Sequence, residues 1–161
     1  MGMEMIRHGQ ENVAIADRLH RFTRAILQSH DAAALPEVLV STLKHEFLVP
    51  QAALRVWGVS AEHAELPAAQ DVSDDVKSFA ASLSLPYCGL NSGFEAVGWV
   101  ADPSTVMSLA LVPLRGGAQG EVFGLLVLAS PDPARYSAEM GTEFLMRIGE
   151  IAGAGVARLI A

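Results

Sequence analysis

The densest group of polar, potentially reactive residues lies in the stretch ASPDPARYSAEMGTEFL, residues 129–145. Its polar members include Ser130, Asp132, Arg135, Tyr136 and Thr142. Pro131 and Pro133 indicate a structural role, because proline cannot donate to a strand ladder and ends the strand before it. We expect the Asp132 carboxylate to accept hydrogen bonds from turn amides and Arg135 to pair with Asp132. Ser137 is expected to cap the last helix, with Asp132 before Pro133 as a rival start. The stretch is therefore predicted to be a corner between a strand and a helix, not an active site.

The histidines do not show the spacing of a metal site. The five histidines are His8, His20, His30, His45 and His63. HEFLV at 45–49 begins like the zincin motif, but Val49 stands where the second histidine ligand must lie. We therefore expect no metal and no other cofactor.

No catalytic constellation surrounds the candidate nucleophiles. Cys88, the single cysteine, lies in LPYCGLN, where no basic neighbour in sequence would favour the reactive thiolate. Ser108 and Ser130 lack the Gly-x-Ser-x-Gly elbow of many hydrolases. The glycine-rich stretch RGGAQG lacks the lysine of a phosphate-binding loop. We expect a protein that is not an enzyme, with an enzyme using Cys88 as the least favoured alternative.

The charge balance and the hydropathy argue against several partners. Asp and Glu number 18 against 11 Lys and Arg, for a formal net charge of −7, whereas a protein that binds nucleic acid needs a local excess of cations. Arg18, Arg21 and Arg24 share one helical stripe, which we interpret as a solvated or interfacial face. No apolar run is long enough to span a membrane, and the N-terminus lacks the apolar core of a secretory signal. The sequence thus predicts a cytoplasmic protein.

Hydrophobic periodicity predicts alternating helices and strands in one domain over residues 1–161. Helices are expected at 4–30, 36–47, 72–83 and 137–160. Strands are expected at 52–59, 85–89, 106–114 and 121–130. The last two would form a hairpin through RGGAQG, and the strand at 85–89 could be central. Residues 91–101 fit a short helix capped by Asn91 or Ser92, which we favour, or an extended segment. This order predicts an α+β fold, an antiparallel sheet with helices on both faces.

Four stretches carry a family resemblance: VPQAALRVWG (49–58), PYCGLNSGF (86–94), SLALVPLR (108–115) and FGLLVLASPDPARYSAEMGTEFLMRIGEIA (123–152). They resemble the bacterial domain of unknown function 484 (DUF484) family, which is GAF-like. The resemblance implies long N- and C-terminal helices on one face of the sheet and shorter helices on the other. It also implies a sensory or regulatory module that binds an unidentified small molecule, dimerises through its terminal helices, or does both. Family members usually carry a further helical segment before the domain, whereas this sequence starts almost directly at the long helix.

The same resemblance indicates where a ligand would bind, because the segment from Tyr87 to Trp99 corresponds to the lining of the GAF ligand cavity. Strand alternation adds Arg55 and Trp57, which share one face. The candidate pocket consists of Arg55, Trp57, Tyr87, Cys88, Phe94, Trp99 and Ser108. Arg55 could hold a carboxylate or a phosphate. In the alternative, the aromatic side chains fill the core and Arg55 reaches solvent, which describes a structural or protein-interaction domain with a self-filled core.

Small residues are concentrated in the last predicted helix. They are Gly149, Ala152, Gly153, Ala154, Gly155 and Ala157. Each glycine costs a helix about 1 kcal/mol relative to alanine, so we expect another element to approach this backbone closely. Packing of helix 137–160 on the sheet and on helix 4–30 would explain the small residues. A homodimer formed through a four-helix bundle would also explain them, and the two arrangements are compatible.

Overall fold

A computed structural model of the chain describes residues 2–116, 120–137 and 142–160. The helices are α1 (Gly2–Gln28), α2 (Leu35–Phe47), α3 (Asp74–Ser82) and α4 (Glu143–Val156). The strands are β1 (Gln51–Val56), β2 (Tyr87–Leu90), β3 (Ser108–Gly116) and β4 (Glu121–Ser130). Two short 3₁₀ turns, Pro67–Ala69 and Glu95–Trp99, also border the sites described below.

The four strands form one antiparallel sheet in the order β1-β4-β3-β2. The central strands β3 and β4 form the predicted hairpin, and residues 117–119 of its connection lie outside the described residues. Nearly all side chains of these two strands are buried, because helical segments cover both faces of the sheet. Coverage of both faces explains why apolar residues run through both strands without alternation. The predicted α+β fold is confirmed.

Two apolar cores lie on opposite faces of the sheet. On one face, α1, α2 and α4 pack around Phe22, Leu39 and Ile148, which are fully buried. On the other face, α3 and the turn Glu95–Trp99 cover Leu109 and other apolar residues of the sheet. We call these the terminal-helix face and the short-helix face. This arrangement is the one that the family resemblance implied.

Helix α4 lies so close to its neighbours that its glycines leave no room for a side chain. A Cβ atom on Gly149 would lie 2.8 Å from a β3 side chain, and one on Gly153 would lie 2.9 Å from the carbonyl oxygen of Arg115. A Cβ atom on Gly155 would lie 2.7 Å from Cγ2 of Ile26 in α1. The close approach predicted for the small residues is therefore present on both the sheet and α1.

The prediction that the last helix starts at Ser137 is wrong. Helix α4 starts at Glu143, and Thr142 before it makes no side-chain capping hydrogen bond. Ser137 has no helical geometry, because the chain up to that residue is used to turn the corner after β4. The stretch 138–141 lies outside the described residues.

Three further expectations about the sheet and its connections are corrected. Strand β2 is at the edge of the sheet, not in its centre, since it pairs with β3 alone. Strand β1 ends at Val56, because Gly58 turns the chain with a φ of +69°. Residues 91–101 form no α-helix: Asn91 Oδ1 accepts a hydrogen bond from the N–H of Gly93, whose φ is +94°, and only the 3₁₀ turn follows.

Candidate functional site

The polar corner after β4 is a structural joint built around Ser108. The Ser108 hydroxyl is fully buried; it donates to the carbonyl oxygen of Asp132 at 2.7 Å and accepts from the N–H of Tyr136 at 3.2 Å. The Asp132 carboxylate accepts from the N–H of Ala134 at 2.9 Å, as predicted for the turn. Ser108 therefore fastens the start of β3 to the corner and does not line a pocket.

Arg135 does not pair with Asp132, so that prediction is wrong. Its guanidinium donates to the carbonyl oxygens of Phe47 at 2.9 Å and Leu48 at 3.3 Å, at the end of α2. The last carbonyls of a helix have no partner within it and carry partial negative charge, so they can accept hydrogen bonds from this cation. The corner is thereby tied to α2.

Cys88 is buried in the core of the terminal-helix face. Burial raises the pKa of its thiol, so that the protonated form is favoured at neutral pH, whereas a nucleophile reacts as the thiolate. Tyr136 is no base for this thiol, because burial raises the pKa of its phenol as well. Burial thus favours the protonated form of both side chains.

The sheet divides the seven residues of the predicted pocket into two groups. Side chains alternate along a strand, so Cys88 points to the terminal-helix face while its neighbour Tyr87 points to the short-helix face. Ser108 lies with Cys88, next to Ala110 of the same core. The residues on the short-helix face are Arg55, Trp57, Tyr87, Phe94 and Trp99. The seven residues therefore do not surround one cavity.

Three of the aromatic residues on the short-helix face pack against its core and are half-buried. The ring of Phe94 lies 4.9 Å from that of Tyr87 and 5.6 Å from that of Phe79, between ring centroids. The Tyr87 hydroxyl donates to the carbonyl oxygen of Leu90 at 3.1 Å. Trp57 packs against the same core. For these residues the structure matches the alternative in which aromatic side chains fill the protein interior.

Arg55 and Trp99 are placed differently, because they meet at a groove. The guanidinium carbon of Arg55 lies 5.6 Å from the ring centroid of Trp99, a cation–π geometry. One guanidinium nitrogen, Nη1, donates to the carbonyl oxygens of Pro67 at 3.0 Å and Gln70 at 2.6 Å. The Nε and Nη2 atoms make no hydrogen bond to the rest of the described chain. Arg55 is thus held in place with donors to spare.

The groove has a volume of about 780 Å³ and runs along the edge of β1 that faces away from β4. One wall is α2, and the other is formed by Leu66, the turn that starts at Pro67, and Trp99. The α2 residues that line it are Pro36, Glu37, Val40, Ser41, Lys44 and His45. Apolar side chains are thus mixed with a few charged groups, as in most ligand sites.

The floor of the groove contains main-chain groups of β1 that have no partner in the sheet. The N–H of Trp57 donates to the carbonyl oxygen of Phe123 in β4 at 2.8 Å, which sets the phase of the antiparallel ladder. Every second residue before Trp57 therefore pairs with β4, while the N–H and C=O groups of Ala52 and Leu54 point towards the groove. Within residues 2–116, 120–137 and 142–160, nothing hydrogen-bonds to those groups.

Sequence reasoning found Arg55 and Trp99 but missed the α2 side of the groove. Glu37, Ser41 and Lys44 recur at a spacing that puts them on one helical face, and this pattern was available in the sequence. Its meaning depends on β1 being an edge strand, which is a property of the assembled sheet.

A second groove, of about 450 Å³, lies between α1 and α4. Its lining includes Leu27, Ile151 and Ala154. Leu27 is 74% exposed, a large fraction for a leucine, and Ala154 is exposed beside it. Ala154 thus faces outwards, whereas the small residues on either side of it, Gly153 and Gly155, are buried.

The described part of the chain contains no cluster of three or more His, Cys, Asp or Glu side chains suited to holding a metal ion. None of its helices has the length and apolar character needed to cross a bilayer.

The family model described as "Protein of unknown function, DUF484" matches residues 3–160. The chain belongs to the DUF484 family. No curated protein matches it.

Solved structures that resemble this DUF484 chain include GAF domains and an enzyme. The GAF domain of a protein described as a sensor histidine kinase from Pseudomonas syringae pv. tomato is 20% identical, with 96% of this chain and 92% of that chain covered and a TM-score of 0.61. The GAF domain of a phosphoenolpyruvate-protein phosphotransferase from Coxiella burnetii is 14% identical, with 91% of this chain and 94% of that chain covered and a TM-score of 0.65. Free methionine-R-sulfoxide reductase from Neisseria meningitidis, solved with its substrate, is 15% identical, with 89% of this chain and 88% of that chain covered and a TM-score of 0.58. These likenesses show that the DUF484 chain has the GAF fold.

Proposed function

We propose that this DUF484 protein is a cytoplasmic, non-enzymatic sensory or regulatory module that binds a small molecule in the groove beside β1. The observation that carries the proposal is the Arg55 guanidinium, held over Trp99 at the wall of a groove of about 780 Å³. A guanidinium with unused donors can bind a carboxylate or phosphate through paired hydrogen bonds, and the indole face can stack on a flat part of the same molecule. The GAF fold of the neighbours supports a sensory role.

Protein interaction without a ligand is the second candidate function. Its support is that Trp57, Tyr87 and Phe94 pack against the short-helix core. The module would then act through its surfaces alone. The two candidates differ in whether the groove beside β1 is occupied.

The two tryptophans allow a direct test. Trp99 lines the groove and Trp57 does not. Trp57→Phe leaves Trp99 as the sole tryptophan, and Trp99→Phe leaves Trp57 as a matched control. Native mass spectrometry of the purified protein would first reveal a co-purified molecule, and a library of amino acids, nucleotides and carboxylic acids would then be titrated into both variants. We expect a saturable change in emission from Trp99 and none from Trp57.

A protein that carries no molecule after purification, and whose Trp99 emission stays constant across the library, would contradict the small-molecule proposal. That result would favour the interaction domain. An equal change from both tryptophans would also count against the groove, since it would indicate a global change in structure.

We further propose that the protein is a homodimer that buries the groove between α1 and α4. The exposed Leu27, next to Ile151 and Ala154, forms an apolar surface on the outer side of the terminal helices. Contact through this surface would bring the α1 and α4 helices of two copies together as a four-helix bundle. The ligand groove beside β1 would stay open, because it lies on the other side of α2 from α1 and at the edge of the sheet.

A further inference from the structure

We propose that the ligand of the groove beside β1 is a short, acidic peptide that binds in extended conformation as an added strand. This inference rests on the proposed function of the groove and names the chemical class of its ligand. Three observations support it: the unpaired main-chain groups of Ala52 and Leu54, the contacts that limit the unpaired part of β1 at both ends, and the charged residues that line the groove.

The edge of β1 has unpaired main-chain donors and acceptors with which another strand could pair. Ala52 and Leu54 each present one N–H and one C=O to the groove, so an antiparallel partner could form up to about four main-chain hydrogen bonds with them. Proteins commonly protect such edges by charge, proline or a covering loop, because an open edge pairs readily with another chain. Here the open part is recessed between α2 and the Pro67–Ala69 turn, where a peptide would be held on both sides.

The length of the open edge limits the peptide. At the start of β1, the Gln51 side chain hydrogen-bonds to Asp102 and Thr105, at 2.7 to 3.1 Å, and ties their loop to the sheet. At the other end, Arg55 binds the carbonyl oxygen of Pro67, and the turn there packs on β1. The stretch between accommodates about three residues at roughly 3.3 Å each. A short free peptide fits this space better than a segment inside a long chain.

The charges of the groove select an acidic peptide. Its ionisable lining residues are Lys44, His45 and Arg55 against Glu37, in a protein of net charge −7. Side chains of an added strand alternate, so its first and third residues share the side of Ala52 and Leu54, which faces α2 with Lys44, His45 and Glu37. The middle residue faces Arg55 and Trp99. Lys44 and Arg55 outnumber Glu37, so an acidic peptide is the better match; the probe carries its carboxylates on the α2 side, where Lys44 can be tested apart from Arg55, which also holds the loop.

The test uses the full-length protein labelled with ¹⁵N and the probe peptide acetyl-Glu-Val-Glu-amide. We expect saturable shifts of the Ala52 and Leu54 amide signals. The amide signals of residues that line the groove between α1 and α4 should not shift. Acetyl-Lys-Val-Lys-amide should bind at least about tenfold more weakly, because it reverses the charge. The probe with both glutamates N-methylated should lose binding by at least a similar factor, because it cannot donate to β1.

Two variants test the protein side of the same contacts. Lys44→Glu should weaken binding of the probe at least about tenfold, whereas Lys77→Glu, on α3 away from the groove, should not. Ala52→Pro should weaken binding, because it removes the N–H donor of residue 52, while keeping the ladder to β4, since proline is tolerated where the N–H points away from the sheet. If Ala52→Pro unfolds, the N-methylated probe on the wild-type protein still tests the strand contact, through the hydrogen bonds from the peptide N–H groups to the β1 carbonyl oxygens.

The outcomes separate this inference from the proposed function. Equal affinity for the acidic and basic probes, or undiminished binding of the N-methylated probe, would overturn the inference. The same tripeptide should also be tested with four glycine or serine residues on each side. Tighter binding of this longer peptide would overturn the claim that the ligand is short and free. If no peptide binds but another molecule changes Trp99 emission, the inference fails and the proposed small-molecule function stands.

Discussion

Arg55 shows how one side chain can hold a loop and also serve a site. Its Nη1 atom donates to the carbonyl oxygens of Pro67 and Gln70, and the residue also lines the groove. Strand alternation in the sequence correctly put Arg55 and Trp57 on one face of β1. It could not show that Trp99, far along the chain from Arg55, would be the tryptophan under the guanidinium, because that contact depends on how the 3₁₀ turn packs on the sheet.

Ser108 gives the prediction at the residue scale. We expect Ser108→Ala to lower the free energy of unfolding by about 2 kcal/mol, because it leaves the buried N–H of Tyr136 and the carbonyl oxygen of Asp132 without their partner. Thermal or urea unfolding would measure the change. The control is Ser104→Ala, which removes an exposed hydroxyl bonded only to Asp102. Equal effects of the two substitutions would show that Ser108 does not hold the corner.

The elements show where sequence periodicity is informative and where it is not. The predicted helix 36–47 and the hairpin of β3 and β4 are present, because each has a long apolar pattern that only one kind of element buries. The start of α4 was predicted wrongly, and of the short helix favoured within 91–101 only the 3₁₀ turn Glu95–Trp99 is present. In both places the chain follows turns and tertiary hydrogen bonds in preference to a local helical pattern.

Gly153 gives the prediction at the element scale. Alanine is the better helix former by about 1 kcal/mol, yet we expect Gly153→Ala to destabilise the protein by about 2 kcal/mol. The reason is that the new Cβ would lie 2.9 Å from the main-chain oxygen of Arg115, which can move only if α4 separates from β3. Chemical unfolding would measure the loss.

Gly98→Ala is the matched control for Gly153→Ala. Gly98 lies in the turn Glu95–Trp99, has no positive φ, and has no atom within 4 Å of the position that a Cβ would take. We expect no loss of stability from this substitution. A stability of Gly153→Ala at or above that of the wild type would contradict the close packing of α4 on the sheet.

At the scale of the whole molecule, the two grooves lie on different surfaces and allow separate functions. The groove beside β1 is lined by α2 and the edge of the sheet, and the other is lined by α1 and α4. A ligand in the groove beside β1 would contact α2, and a second copy of the chain on the other groove would contact α1. These two helices pack on one another.

Leu27 gives the prediction at the scale of the assembly. We expect the wild-type protein to have about twice the 17.1 kDa mass of one chain in light scattering at micromolar concentration, and Leu27→Lys to have the mass of one chain. A lysine there would place charge in the apolar contact between copies. The matched control is Leu90→Lys, which changes a leucine 60% exposed at the far edge of the sheet. A monomeric wild type, or equal effects of both variants, would contradict the proposed dimer.

The sequence alone was enough to determine the α+β class, most of the helices and strands, the hairpin and the family resemblance, because these depend on periodic apolar patterns and local turn residues. The family model confirms that resemblance. The corner at residues 130–137 was likewise recognisable from its prolines and Asp132. Each of these features is encoded by residues close together along the chain.

Only the tertiary structure decided which candidate residues meet. A shift of one position along a strand moves a side chain to the other face of the sheet, so Cys88 and Tyr87, adjacent in sequence, belong to different cores. The groove itself exists because β1 pairs with β4 alone, and pairing partners are chosen by the assembled sheet. Lys44, Arg55 and Trp99, from three separate parts of the sequence, are neighbours of one groove for that reason.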